Sequence, residues 1–393
     1  MIDAEDGANS PVTASEHLDR YDAMLRGFAR EGRLRLLMPR AGLDFTSNDY
    51  LGLAASQRLA CAVTDALAAG TPIGATGSRL LRGNALEHEQ LETVAARFFG
   101  AESALFFGSG YVANFAVLTT LPQQGDLLVF DARAHPSTHQ AAQAGFAQIA
   151  KVPHNDVNAI ETAIKTWRSV GRTSRAWIAV ESLYSMDGDR APLQDLAALA
   201  ERLDAFLFID DAHATGVFGP NGRGLAHDLE GRENVVVLHT CSKALGCSGA
   251  LVTASNVLCE FLVNRCRPFI YATAPSPLIA VAVTEALAMV RDEPQRRDRL
   301  MELVAFTNRE IQIRCGIEPS GSQIIPINIG NNSRVMAIAA ILRARGFDLR
   351  GFCPPSVPDD MGHIRISLTI NVDQADVSAM IEALVEELES GPV

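Results

Sequence analysis

Seven short apolar runs follow one another through the middle of this chain: 103–107 (SALFF), 127–130 (LLVF), 147–152 (AQIAKV), 176–180 (AWIAV), 205–209 (AFLFI), 235–239 (VVVLH) and 249–253 (GALVT). None alternates apolar with polar residues in the regular way of a strand with one wet face. Helical stretches lie between most of them. Such runs suit strands buried on both faces of a mainly parallel sheet, because crossover helices cover both sides. The expected fold is therefore α/β: a three-layer αβα large domain.

The flanks read differently. Residues 1–15 suggest a tail, and 16–37 have helical spacing, with Leu18, Tyr21, Met24, Leu25 and Phe28 on one stripe. The segment 43–54 (LDFTSNDYLGLA) reads as a short strand entering a polar turn, and 84–100 as an amphipathic helix stopped by Gly100. After about 285 come a charged helix (291–316), a strand (324–329), a helix (333–346), a Pro-rich loop (352–358), a strand (363–370) and a last helix (374–390). This predicts a smaller C-terminal α+β domain. The expected division is 1–50 (N-terminal helical and strand segment), 51–285 (large domain) and 286–393 (small domain).

Composition removes several partners. Asp plus Glu (46) exceeds Lys plus Arg (34), a net charge of −12, which does not favour nucleic acid or an anionic membrane. The N-terminus lacks the basic start and apolar stretch of a secretory signal, and no run approaches the roughly 18 apolar residues of a membrane helix. Seven scattered cysteines suggest reduced thiols and a cytoplasmic setting. Cys241 with Cys247, and Cys259 with Cys266, are too widely spaced for zinc knuckles, and no metal site is expected.

In open α/β sheets ligands bind beyond the carboxyl ends of the strands. After AFLFI come Asp210, Asp211 and His213, costly in a buried place unless paired or functional. After VVVLH comes Thr240-Cys241-Ser242-Lys243. The 34 basic residues include only three lysines, Lys151, Lys165 and Lys243. Lys165 reads as a solvated helix residue and Lys151 fits either role. Lys243, among small residues in a strand-end loop, best suits a desolvated amine of lowered pKa. After SALFF, Gly108-Ser109-Gly110-Tyr111 opens a helix and reads as an anion-binding N-terminus or a plain turn. His135, after LLVF, fits a structural or a catalytic role. Glu181 to Asp189, after AWIAV, is an acidic and hydroxyl-rich loop, or a set of turns and caps. A phosphate-type turn, a strand-end acid and a later lysine together fit pyridoxal 5'-phosphate. No Gly-x-Gly-x-x-Gly follows a first strand, which disfavours a dinucleotide-binding dehydrogenase. A catalytically silent protein on the same fold is the other alternative.

From about residue 16 to 390 the chain resembles the α-oxoamine synthases, a branch of the fold-type-I pyridoxal-phosphate enzymes. The ordered motifs are DFTSNDYLGLA, TGSRLLRGN, GSGYVAN, ESLYSMDGD with APL following, DDAHATGVFGPNGRG, SKALG and PPSVP. The resemblance implies a Schiff-base role for Lys243, which would also carry protons at the amino-acid α-carbon. It implies Asp210 as partner of the pyridine nitrogen, His213 near the ring oxygen and His135 stacked on the ring. Gly110 and Tyr111 would contact the cofactor from their turn, Ser185 its ring and Thr240 its phosphate. Asn48 and Arg365 would grip the amino-acid carboxylate, with Arg35 and Ser356 as further substrate-binding residues. A homodimer is also implied, with TGSRLLRGN and YATAPSP (271–277) near the neighbouring subunit.

Within this branch, DFTSNDYLGLA and PPSVP look most like the members of biotin synthesis. That implies L-alanine and a pimeloyl thioester, carried by CoA or a carrier protein, as substrates. Members using another amino acid or acyl chain, such as the glycine C-acetyltransferases and serine palmitoyltransferases, are the alternative. Cys353 stands where that branch usually has an arginine, for which Arg350 is a candidate substitute. Cys247, Pro136 and Ala75 also depart from the usual pattern.

Overall fold

The computed structural model of the chain describes residues 14–31, 33–354 and 362–390. Residues 1–13 of the tail expected over 1–15, and the substrate-loop residue Ser356, lie outside the described residues, while Ala14 and Ser15 already belong to the first helix, Ala14–Arg30. The strands, in chain order, are β1 (Leu43–Asp44), β2 (Ser103–Phe107), β3 (Leu127–Asp131), β4 (Gln148–Val152), β5 (Ala176–Glu181), β6 (Ala205–Asp210), β7 (Val235–Thr240), β8 (Ala250–Ala254), β9 (Ile324–Gly330), β10 (Phe347–Asp348), β11 (Arg350–Phe352) and β12 (Gly362–Ser367).

The seven apolar runs form one sheet in the order β2-β8-β7-β6-β5-β3-β4. Pairs among β3 to β7 are parallel. β8 runs antiparallel to both β2 and β7. Its apolar run marks burial but carries no sign of direction. β3, β5 and β7 are buried along their whole length, which is why they show no polar alternation. β4 is the exception: an edge strand with Gln148, Ile149 and Lys151 exposed.

Helices cover both faces. On one side Ala113, Val117 and Leu118 of the helix Gly110–Thr120 pack with Phe107, Phe130, Trp177 and Val236. On the other, Ile160, Ile164, Leu196 and Leu199 pack with Val129, Ile178, Leu207 and Val237.

The C-terminal part holds an antiparallel sheet, β11-β12-β9, with the helices Gln295–Cys315, Asn332–Ala344 and Gln374–Glu389. One apolar core joins it to the rest, running from Phe45 and Leu51 through Leu287 to Ile366 and Leu384. β1 pairs in parallel with β10, so the segment carrying Asn48 and Tyr50 is held against the C-terminal part. The Phe45 carbonyl accepts from Ser367 N–H at 2.9 Å, and the Tyr50 carbonyl from Ile370 N–H at 3.1 Å. This seam carries residues about 320 positions apart to one place.

Candidate active site

The polar residues converge at the carboxyl ends of β5, β6 and β7, where β12 and the 45–54 segment approach. Successive strand residues face opposite sides of a sheet, and this separates the two aspartates. Asp211 faces away and is wholly buried. Its carboxylate accepts from Ser182 Oγ at 2.6 Å, Thr215 Oγ1 at 3.1 Å and Leu225 N–H at 3.1 Å. Burial raises it to about 6, against the pull of His239 and these donors.

Asp210 faces the helix Gly110–Thr120. Asn114 Nδ2 donates to its Oδ2 at 3.0 Å and Ala212 N–H to its Oδ1 at 3.1 Å. Asn114 is held in turn by Thr138 Oγ1, which donates to Asn114 Oδ1 at 3.1 Å. Asn114 closes the GSGYVAN motif, yet inside an apolar helix it gives no separate sequence signal.

Lys243 lies in a loop fixed on all sides. Cys241 N–H donates to Gly249 O at 2.9 Å, and Gly246 N–H to Lys243 O at 2.8 Å. Gly246 has φ +63°, and a Cβ there would lie 2.4 Å from Ala54 N, so only glycine lets this loop meet the 45–54 segment. Burial lowers the Lys243 amine to about 8, although Asp210 pulls the other way; Arg365 adds to the lowering. Of the other two lysines, Lys151 is exposed on β4 and Lys165 is an exposed helix residue paired with Glu161 at 2.5 Å.

Both histidines are held neutral. His213 is buried, and its pKa falls well below 6.5 through burial and then the Lys243 and Arg365 charges. His135 caps the helix Pro136–Ala144, and its Nδ1 lies 2.7 Å from Ser137 Oγ. Burial lowers its pKa, with Lys243 and His139 adding to this and Asp210 opposing. Pro136 occupies the first helical turn, where its missing N–H is not needed, so this departure from the family pattern costs nothing locally. Tyr111 meets His135 edge-to-face at 6.2 Å between ring centres.

Gly110 and Tyr111 begin their helix, where the first N–H groups have no acceptor within the helix. A Cβ on Gly110 would lie 3.2 Å from Thr240 Oγ1, so glycine keeps open the space beside that hydroxyl. Thr240 Oγ1 and Ser242 Oγ are 3.0 Å apart. Helix N–H groups beside two hydroxyls suit an anion such as phosphate.

Arg365, on β12, is buried. Its Nη2 donates to Asn48 Oδ1 at 2.7 Å, while its Nε is buried with no acceptor. Among the described residues no carboxylate lies within ion-pairing distance of it. A buried guanidinium in that state suits a carboxylate from outside.

Glu181 is the acid that sequence reading left open among turns and caps. It ends β5 opposite Asp210 in β6 and is 3% exposed. Ser185 N–H donates to its Oε2 at 3.0 Å, which is how Ser185 reaches this region, but Oε1 is buried with no partner. Its signal in the sequence was the one that marked Asp210, an acid ending an apolar run.

The structure thus brings together Lys243, Asp210, Glu181, His135, His213, Arg365 and Asn48. Arg35 sits exposed on the irregular segment 33–41. Cys353 is half-buried with Asn332 O at 3.9 Å, and Arg350 is paired with Asp348 at 3.1 Å. A surface groove bounded by Arg175, Ala205 and Val235 lies at the amino ends of the strands, the wrong end for this chemistry.

The donor set fits pyridoxal phosphate: a lysine of lowered pKa, a fixed carboxylate, an open anion cradle and unsatisfied buried polar atoms. The sheet and its flanking helices define fold type I of the pyridoxal-phosphate enzymes. The chain belongs to the aminotransferase class I and II family, which it matches over residues 40–384. It is 38% identical over 356 residues to the 8-amino-7-oxononanoate synthase of Anaeromyxobacter dehalogenans, covering 90% of this chain and 88% of that protein. To the 8-amino-7-oxononanoate synthase of Chromobacterium violaceum it is 36% identical over 353 residues, covering 89% and 90%. Among solved structures, a variant of serine palmitoyltransferase from S. paucimobilis superposes with a TM-score of 0.86 at 23% identity, covering 96% of this chain and 98% of that one. The 8-amino-7-oxononanoate synthase of Francisella tularensis gives 0.75 at 24%, covering 88% and 98%. At such identities the superpositions speak for the fold and leave substrate choice to other features.

Proposed function

We propose that this chain is a pyridoxal-phosphate-dependent acyltransferase. It joins L-alanine to a pimeloyl thioester, giving 8-amino-7-oxononanoate, CO2 and the free thiol. The carrying observation is the pairing of two groups in one buried centre: an amine lowered to about 8, Lys243, and a buried guanidinium without a carboxylate, Arg365. The amine serves covalent chemistry and the guanidinium positions an amino acid. The names of the curated relatives supply the product, and the family resemblance supplies alanine and the pimeloyl thioester.

When bound, the cofactor supplies an aldehyde for an amine and a ring that accepts the electron pair of a neighbouring carbon. The protein supplies the rest. Lys243, near 8, is neutral in about one molecule in ten at pH 7, so it can act as a nucleophile and carry a proton to and from the amino-acid α-carbon. Asp210, fixed by Asn114 and Ala212, holds a proton on the ring nitrogen. Neutral His213 addresses the ring oxygen, and neutral His135 offers its face to the ring. Gly110 and Tyr111 N–H groups and the Thr240 hydroxyl hold the phosphate. Ser185 stands at the ring. Arg365 and Asn48 grip the substrate carboxylate, the group lost as CO2 when the acyl carbon has been attached and its thiolate has left. Arg35 and Ser356 are the further substrate-binding residues of this reading.

A second copy of the chain completes the enzyme in this reading. Ile73, Leu81 and Tyr271 are 74%, 81% and 77% exposed, and Ala274 N–H donates to Gly77 O at 2.9 Å, so the two segments present one apolar face. The first helix adds exposed Leu18, Tyr21, Met24 and Leu25. Among the described residues no helix is long and apolar enough to cross a membrane, and all seven cysteines are free. Both fit work in the cytoplasm.

One observation favours a neighbouring substrate. Cys353 offers no charge to an acidic acyl tail, and Arg350 is already paired with Asp348. Product mass from a panel of amino acids and acyl thioesters decides it. Alanine with pimeloyl thioester is expected to give 8-amino-7-oxononanoate; product from another pair only would reassign the substrate and keep the chemistry.

A further inference from the structure

Tyr50 is fully buried beside the carboxylate grip. Its hydroxyl lies 2.7 Å from His213 Nδ1 and 3.0 Å from Asn48 Oδ1. A phenol has one hydrogen to give, and both neighbours are able to accept it. Asn48 Oδ1 has two lone pairs. It already receives Arg365 Nη2 at 2.7 Å, a charged and therefore strong donor, and Ser367 Oγ lies 3.4 Å from it. Arg365 therefore takes one lone pair, and Tyr50 and Ser367 compete for the other at 3.0 and 3.4 Å. The shorter contact, to His213, takes the phenolic hydrogen.

That has a consequence at the other side of the imidazole. A neutral histidine carries one N–H, and the bond at one nitrogen decides which nitrogen holds it. With Nδ1 accepting from Tyr50, the hydrogen must sit on Nε2. Gln323 Nε2 donates to the His213 backbone carbonyl at 2.8 Å, which anchors the main chain that carries the imidazole. Burial keeps the Tyr50 phenol protonated, so it remains a donor.

We propose that Tyr50 is a positioning residue: it holds His213 as the Nε2–H tautomer, and it does so because its contact to His213, at 2.7 Å, is shorter than the 3.0 Å contact to an Asn48 oxygen that already receives Arg365. The carboxylate grip and His213 are then one hydrogen-bonded unit, Arg365–Asn48–Tyr50–His213. A change in the bond between Arg365 and Asn48 is felt as competition for the Tyr50 hydrogen, and so as a change in which His213 nitrogen faces the site as a donor. The use of that donor, toward the ring oxygen, rests on the cofactor reading above; the tautomer itself does not.

The test is imidazole 15N NMR on histidine-labelled full-length protein, first without cofactor and then with pyridoxal phosphate added, with His213→Gln assigning the signal. The wild type is expected to show His213 with a bare Nδ1 and a protonated Nε2. Tyr50→Phe, which removes only the hydroxyl, is expected to give exchange-averaged nitrogens with both tautomers populated. A wild-type signal with the proton on Nδ1 overturns the proposal without any variant being needed. So does a Tyr50→Phe spectrum that keeps the single Nε2–H form. If the tautomer is as expected but added pyridoxal phosphate produces no visible band, the cofactor reading fails while Tyr50's effect on His213 stands.

Discussion

Glu181 and Asp210 stand opposite one another at the carboxyl ends of adjacent parallel strands, yet the protein treats them differently. Asp210 has a donor on each carboxylate oxygen, whereas Glu181 has one donor and a buried bare oxygen. Two like charges in one buried place cannot both ionise cheaply. Burial first, and then the Asp210 charge, push Glu181 well above the usual carboxylate range, against the pull of Lys243 and Ser185 N–H. Glu181 therefore keeps its proton where an ordinary carboxyl has lost it.

Glu181→Gln replaces a neutral acid by a neutral amide of the same shape. In the holoenzyme the pH midpoint of the visible band is expected to move by less than about half a unit. A spectrophotometric titration checks this; a fall of a unit or more would mean that an anion near Lys243 had been removed.

Arg365→Ala removes the charged donors for the amino-acid carboxylate. Hydrogen bonds to charged groups contribute about 2 kcal/mol, so KM for the amino acid is expected to rise roughly 30-fold. KM for the acyl thioester should change little. Steady-state kinetics with each substrate varied in turn separate the two; equal loss on both would remove the carboxylate role.

Much of this arrangement was legible beforehand, for physical reasons that differ by residue. Strands buried on both faces must be apolar throughout, so β5, β6 and β7 stood out within a residue of their ends. Lys243 stood out because lysine is rare in this chain. Glu181 was hidden because it opens a polar loop whose residues read equally as caps. Tyr50 was hidden because its partners are 163 residues away at His213 and, through Asn48, more than 300 away at Arg365. The direction of β8 was not encoded in its apolar run. Asp210 and Asp211 are the same residue type side by side; the family resemblance points to Asp210, and the alternation of a strand gives the physical reason.

A second cluster predicts how stability varies with pH. His154 Nδ1 lies 3.0 Å from Asp131 and its Nε2 2.8 Å from Asp189. Burial alone would lower its pKa, but these two carboxylates raise it to about 9. A histidine raised on folding stabilises fully below its unfolded value of about 6.5, and that contribution is lost as pH rises through about 9. Asp131 is resisted by burial but lowered overall by His154 and the Asn155 and Arg133 N–H groups. Its contribution is present above about 3.9 and fades below it. His154→Gln is therefore expected to cost about 1–2 kcal/mol at pH 6, after allowance for screening at half-exposed Asp189, and much less at pH 9.5. Denaturant unfolding at the two pH values checks this; an equal loss at both would show that the charge is not responsible.

The central claim is that the Lys243 amine forms a covalent bond with pyridoxal phosphate. The measurement is peptide mass analysis after borohydride reduction of protein saturated with the cofactor. The expected result is one phosphopyridoxyl group on the peptide containing Lys243, with loss of the visible band on reduction and neither effect in Lys243→Ala. An unmodified Lys243 peptide in colourless protein, or the same adduct distributed over Lys151 and Lys165, would contradict it.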